Sequence, residues 1–207
     1  VFDLGGVLID WNPRYLYRQL ITDPADLDDF LARICTDTWH RRHDLGVDIE
    51  QSCRELARLH PEHADLIMAW AYRGEEMVAG TLDDTVAVLA ELKAAGVRCL
   101  ALSNMEAETF VKRRSRFAFF DLLDGWVISA HEGVAKPDRQ IFEILLSRYG
   151  LDPAATVFID DYAANVAAAA KLGVVALEFT TAAQLRKELR DLGLPVSLPD
   201  DQAGLAT

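Results

Sequence analysis

Two rhythms run along this chain, and their order leaves few folds open. From about Asn12 to Ala79 the apolar pattern recurs at helical spacing, and no strand candidate interrupts it. Residues 24–34 open with a proline near the helix start, and residues 49–59 and 64–72 read as further helices. After Gly80 short apolar runs (97–102, 126–129, 156–159 and 174–179) alternate with helical patterns. The first of these helices carries Val86, Leu89 and Leu92 on one face, is closed by Gly96, and has Thr81 and Asp84 at capping-box spacing. Helices are expected over 105–116, over 138–149 with Ile141, Leu145 and Tyr149 on one stripe, and over 163–172 and 181–192. Such alternation predicts an α/β fold, a Rossmann-like parallel sheet covered on both faces. Residues 1–10 read as the end of a buried strand breaking into a glycine-bearing loop, so the helical block follows the first strand as an insertion. The expected organisation is an α/β core of residues 1–11 and 80–194, an α-helical cap of 12–79 and an irregular tail of 195–207. The chain opens without methionine inside what reads as a strand, so further residues upstream are expected.

Composition narrows the function classes. Of 207 residues 51% are hydrophobic, enough for a substantial core, and the formal net charge of −12 argues against a nucleic-acid partner. Cys35, Cys53 and Cys99 are odd in number and widely spaced, which fits a reduced cytoplasmic setting. No apolar run is long enough to cross a bilayer, and no membrane partner is expected.

In an open parallel sheet, ligands bind beyond the carboxyl ends of the strands. The polar residues standing just after the apolar runs are Asp3, then Ser103 and Asn104, then Lys136 ahead of Pro137, then Asp160 and Asp161. A carboxylate, a hydroxyl, a lysine and a carboxylate pair on one edge make up an inventory for phosphoryl transfer, which needs an in-line nucleophile and neutralised phosphate oxygens. An aspartate can attack phosphorus and form an aspartyl-phosphate. It cannot approach a phosphate dianion without intervening positive charge, which Mg²⁺ on one or two carboxylates supplies. Asp3 and Asp161 suit that task, and Lys136 and Ser103 suit the remaining phosphate oxygens. Other readings exist for each: Asp3 could cap its neighbours in a loop, Lys136 could be an ordinary solvated lysine at a helix start, Ser103 and Glu106 have capping-box spacing, and both Asp160 and Asp161 could cap the helix that follows. Asp161 is the expected ligand and Asp160 its support. Asn165, one helical turn on, is expected to support by hydrogen bonding.

The segments Phe2-Asp3-Leu4-Gly5-Gly6-Val7-Leu8, Leu102-Ser103-Asn104, Lys136-Pro137 and Phe158-Ile159-Asp160-Asp161 resemble, in order, the four signature motifs of the haloacid dehalogenase-like superfamily. The resemblance implies a hydrolase in which Asp3 is the nucleophile, Asp161 binds Mg²⁺ with help from the Gly5 carbonyl, and Asn104 lies near a small phosphorylated metabolite. It also implies that the helical insertion is the family's first type of cap. One position departs from the pattern: typical phosphatases of this family carry a second Asp two residues after the nucleophile as general acid and base, and Gly5 stands there instead. A missing acid weighs most on poor leaving groups. The expected substrates are therefore sugar 1-phosphates or acyl phosphates, a direction that the Asp-Leu-Gly-Gly form shares with a subgroup containing sugar-1-phosphate phosphatases. Asp10 is the weaker candidate for a substitute acid. The rival activities are a 2-haloacid dehalogenase, against which the acidic pair Asp160-Asp161 argues, and a catalytically weak phosphometabolite-binding protein. The run Trp39-His40-Arg41-Arg42-His43 reads as a solvated polar stretch in preference to a substrate-recognition patch, and Trp70 and Trp126 read as packing residues.

Overall fold

In the computed structural model, which describes residues 1–197, the strands are β1 (Ile9–Trp11), β2 (Val78–Thr81), β3 (Leu100–Ser103), β4 (Gly125–Ile128), β5 (Val157–Asp160) and β6 (Val175–Glu178). β3 pairs in parallel with β4, and β5 with β6. The N-terminal residues join the two pairs. The Phe2 amide donates to the Leu100 carbonyl (2.8 Å) and its carbonyl accepts from Leu102 (2.9 Å), while the Asp3 amide donates to Ile159 (2.9 Å). Phe2 thereby bridges Ala101 and Ile159, and the parallel sheet runs β4, β3, residues 1–3, β5, β6.

Strand periodicity divides the core between the two faces. Ala101 and Ile159 turn to a cluster with Leu89, Leu92, Phe110 and Leu185. Leu100, Leu102 and Phe158 turn to the other, with Ile141, Phe142 and Leu145. The first face is covered by α6 (Asp83–Ala94), α7 (Ala107–Arg116) and α11 (Ala182–Asp191), and the second by α9 (Arg139–Tyr149) and α10 (Ala163–Ala170). A one-turn helix, α8 (Ser129–Glu132), follows β4. Because the strands are parallel, their carboxyl ends gather at one edge, and the polar residues of the sequence motifs gather with them.

The inserted helical region contains α1 (Arg14–Tyr17), α2 (Pro24–Arg33), α3 (Asp37–His40), α4 (Ile49–Leu59) and α5 (Ala64–Tyr72). It buries a cluster of its own around Tyr17, Phe30, Ile67 and Trp70. Asp23 caps α2 through the amides of Ala25 and Asp26, and Asp48 caps α4 through that of Gln51.

Several local expectations are corrected. Val78 and Ala79 are not helical: β2 pairs antiparallel with β1, with Ile9 opposite Thr81 and Trp11 opposite Val78. The Thr81–Asp84 capping box does not form, because Thr81 ends β2 and its hydroxyl donates to Asp83 instead. Ser103 likewise ends β3 and caps nothing; the Glu106 carboxylate accepts the amides of Glu108 (2.9 Å) and Thr109 (2.8 Å) at the start of α7. The strand expected from Val97 starts at Leu100, since the Val97 amide still closes the preceding helix onto Leu92. Residues 198–207 of the expected tail lie outside the described residues. Among the described residues no helix is long and apolar enough to cross a membrane.

Candidate active site

The centre of the site is a buried ammonium. Lys136 Nζ lies 2.9 Å from Asp3 Oδ2 and 2.6 Å from Asp160 Oδ2, and donates to the Leu102 carbonyl at 2.9 Å; its side chain is 1% exposed. Asn104 fixes the lysine's backbone from both sides, its amide nitrogen donating to the Lys136 carbonyl (2.9 Å) and its oxygen accepting the Lys136 amide (2.8 Å). The other Asp3 oxygen accepts the Leu4 amide at 2.7 Å, so the carboxylate cannot swing away. Asp160 is wholly buried and further receives the Tyr162 amide and the Asn165 side-chain amide (2.9 and 3.0 Å). The four sequence segments therefore meet at one edge of the sheet, and Ser103 lines the same cavity.

Charge is unbalanced there. Oxygens of Asp3, Asp160 and Asp161 lie within 4.8 Å of one another, against the single ammonium of Lys136. Burial pushes the Asp3 carboxyl up to about 7, opposed by Lys136 and reinforced by Asp160 and Asp161. Burial and Asp160 raise Asp161 as well. The ammonium of Lys136 is held charged by its two carboxylates in spite of burial. A divalent cation relieves this excess of negative charge, and three convergent carboxylate oxygens are the hard donors that Mg²⁺ takes.

The glycines of the first loop explain how Asp161 reaches the cluster. Gly6 has φ +73°, and a Cβ there would stand 2.1 Å from Asp161 Oδ2. The loop thus passes over the carboxylate at a distance that only glycine allows. Gly6→Ala is expected to displace Asp161 and weaken Mg²⁺ binding by about 10–100-fold, the usual cost of losing a ligand's support, as measured by calorimetric titration. Gly5 differs. A Cβ there would meet nothing within 4 Å, so the absence of a side chain is not imposed by space.

Above the carboxylates a cavity of about 780 Å³ opens between sheet edge and helical insertion. Ile9 and Trp11 line it, whereas Asp10 does not and accepts the Tyr15 hydroxyl at 2.8 Å. The stretch 39–43 is solvated only in part: Arg42 is exposed, and His40 and Arg41 are half-buried. Trp39 and His43 are buried and meet edge to face at 4.7 Å, and His40 stacks on Trp11 at 5.1 Å. Arg41 lies over the ring of Tyr162, 4.6 Å from its centroid, beside Asp161. Burial holds both His40 and His43 down to about 4, so they are neutral at neutral pH. Trp70 packs against Trp39 and also lines the cavity; Trp126 packs against Phe110. Sequence reading placed His43 in a solvated run and missed Asp44 and Ser129. The four-residue spacing of Trp39 and His43, which sets them on one helical face, was the available signal for His43.

Residues 1–173 match the family model described as haloacid dehalogenase-like hydrolase. Sesquiterpene phosphatase astK of Aspergillus oryzae is 30% identical over 203 residues, covering 93% of this chain and 94% of that protein. Acyl-CoA dehydrogenase family member 10 of Mus musculus is 31% identical over 96% of this chain, which spans only 19% of that longer protein. Among solved structures, the magnesium complex of a family enzyme from Bacteroides thetaiotaomicron superposes with a TM-score of 0.69 at 18% identity, covering 91% of this chain and 96% of the other, a likeness of fold. The chain belongs to the haloacid dehalogenase-like hydrolases. It is an enzyme of that family, an α/β core with a helical insertion and a carboxylate cluster able to hold a metal.

Proposed function

We propose that the chain is a Mg²⁺-dependent phosphatase acting on a small phosphorylated metabolite through an aspartyl-phosphate on Asp3. The observation that carries this reading is the trio of carboxylates with one ammonium, an arrangement that binds a divalent cation and then a phosphate group. A dehalogenase attacking carbon needs no such acidic cluster. Asp3, Asp161 and the Gly5 carbonyl would hold Mg²⁺, which when bound neutralises phosphate charge facing the nucleophile. Asp3 Oδ attacks phosphorus in line as the ester oxygen departs, giving the acyl phosphate, which water then hydrolyses. Lys136 orients the Asp3 carboxylate and neutralises charge developing on the transferred group. The Ser103 hydroxyl binds a phosphate oxygen, and Asn104 holds the lysine loop. Asp160 fixes Lys136 from behind and is itself held by the Asn165 side-chain amide.

Gly5 gives the first loop no proton donor of its own; where no other residue supplies the proton, this favours substrates whose leaving oxygen departs easily, sugar 1-phosphates and acyl phosphates. A second reading of the substrate, an organic phosphate with an apolar skeleton, is supported by the Trp11, Trp70 and Met77 walls and by likeness to a sesquiterpene phosphatase. Phosphate release should be measured from glucose 1-phosphate, acetyl phosphate, glucose 6-phosphate and farnesyl phosphate, with Mg²⁺ and with EDTA. Metal-dependent release is expected, with glucose 1-phosphate ahead of glucose 6-phosphate. Farnesyl phosphate leading the series would favour the apolar reading, and release unaffected by EDTA would overturn the metal-dependent mechanism.

A further inference from the structure

Position 5 leaves the core loop without a proton donor, and the helical insertion brings a carboxyl group to the same cavity. Asp44 lines that cavity together with Asp3, Lys136 and Asp161. It is 7% exposed, and among the described residues no hydrogen bond or salt bridge holds its carboxyl group. Its backbone, by contrast, is fastened. The Ser129 hydroxyl, fully buried, donates to the Asp44 carbonyl at 2.5 Å and accepts the Met105 amide at 3.0 Å, next to Asn104. One hydroxyl therefore ties the Asp44 turn to the loop that carries the phosphate-binding residues. A buried carboxyl with a fixed backbone and no partner of its own, lining the cavity of a proposed phosphoryl-transfer centre, is poor as a stabilising device. It is well placed for proton transfer.

We propose that Asp44, carried by the helical insertion, is the general acid and base that the first loop lacks at Gly5. The inference rests on the phosphatase reading. In the first step the Asp3 carboxylate bonds to phosphorus, the bond from phosphorus to the ester oxygen breaks, and that oxygen takes the Asp44 proton. In the second step the Asp44 carboxylate takes a proton from the attacking water. The bond from phosphorus to Asp3 breaks, and Asp44 is returned to its acid form with inorganic phosphate released. The surroundings suit the task. Burial holds the Asp44 carboxyl up to about 7, Lys136 and Arg41 pull it down, and Asp37 pushes it up. Of the α8 residues packed against this turn, Glu132 is taken up by Arg148. Neighbouring His43, neutral at neutral pH, has no proton of this kind to give, and Asp10 lies outside the cavity.

The test compares kcat/KM on p-nitrophenyl, phenyl and benzyl phosphate, similar in size but increasingly in need of a proton on the leaving oxygen. Asp44→Asn is expected to lower the value for benzyl phosphate by about 10²–10⁴-fold and that for p-nitrophenyl phosphate by less than about 10-fold. It should also give a burst of nitrophenolate, because the second step loses its base. Gly5→Asp, for which the loop has room, should restore benzyl phosphate turnover in the Asp44→Asn background. Asp44→Ser repeats the comparison should the asparagine variant fail to fold. Equal losses on all three esters, or no loss on any, would overturn the inference. A wild-type protein that releases nothing from any ester in Mg²⁺ overturns the phosphatase reading, and this inference with it.

Discussion

Asp3→Asn is expected to reduce phosphate release by about 10⁴-fold or more, the scale on which enzymes lose activity with their nucleophile, and to remove the acid-stable phosphoryl label from the trapped protein. The variant should nevertheless fold. Asparagine keeps the acceptor that takes the Leu4 amide, and Lys136 retains Asp160 at 2.6 Å. Stability should depart from activity in a pH-specific way. The folded Asp3 carboxyl sits at about 7 against an ordinary 3.8, so between these values the folded state holds a proton that the unfolded chain has released. Its contribution to stability is fully present below pH 3.8 and is lost as the pH rises through 7. In EDTA, wild-type stability should fall from pH 5 to pH 8, and Asp3→Asn should flatten that slope. Asp44 and Asp161 tilt the curve in the same sense, so a residual slope remains. Urea midpoints across this range would decide it, and an Asp3→Asn slope as steep as the wild type's would contradict the raised carboxyl.

Lys136→Met is the second large effect. The lysine is the one cation in direct contact with Asp3 and Asp160 among the described residues. Methionine fills a similar volume but strands two buried carboxylates, and breaking a buried ion pair by removing one partner costs about 3–5 kcal/mol. Equilibrium urea unfolding in EDTA should register this loss. Mg²⁺ should recover part of the stability but not the activity, because the ammonium also contacts Asp3, the proposed nucleophile. A variant with unchanged unfolding in EDTA would mean that both carboxylates take up protons without strain.

Both predictions depend on residues that the sequence already marked, and the reason is geometric. In a parallel sheet, a polar residue after an apolar run reaches the same edge whatever the details of packing, so Asp3, Ser103, Lys136 and Asp160 could be brought together from order alone. Two of the inserted helices, Ile49–Leu59 and Ala64–Tyr72, also end where the apolar spacing ends. Local rules failed where tertiary hydrogen bonds compete. Thr81 and Ser103 had capping spacings but were taken by strands, and Glu106 caps α7 alone. β1 and β2 are too short for a period-2 pattern to declare itself in Ile9-Asp10-Trp11 or Val78-Ala79-Gly80-Thr81. The run from Trp39 to His43 looked solvated because polar and charged side chains dominate its composition. Only the fold shows that Trp39 and His43 turn inward and that Arg41 lies over Tyr162.

The antiparallel ribbon of β1 and β2 has a bearing on how such a chain assembles. With Trp11 opposite Val78, the two ends of the helical insertion leave the core side by side. For the core, closing the chain across residues 12–77 means closing a loop, whose entropy grows only with the logarithm of its length. A hairpin-like neck of this kind lets the core search for its fold as though the insertion were a short turn. It also lets the insertion lengthen, shrink or be exchanged over evolutionary time without redrawing the sheet beneath.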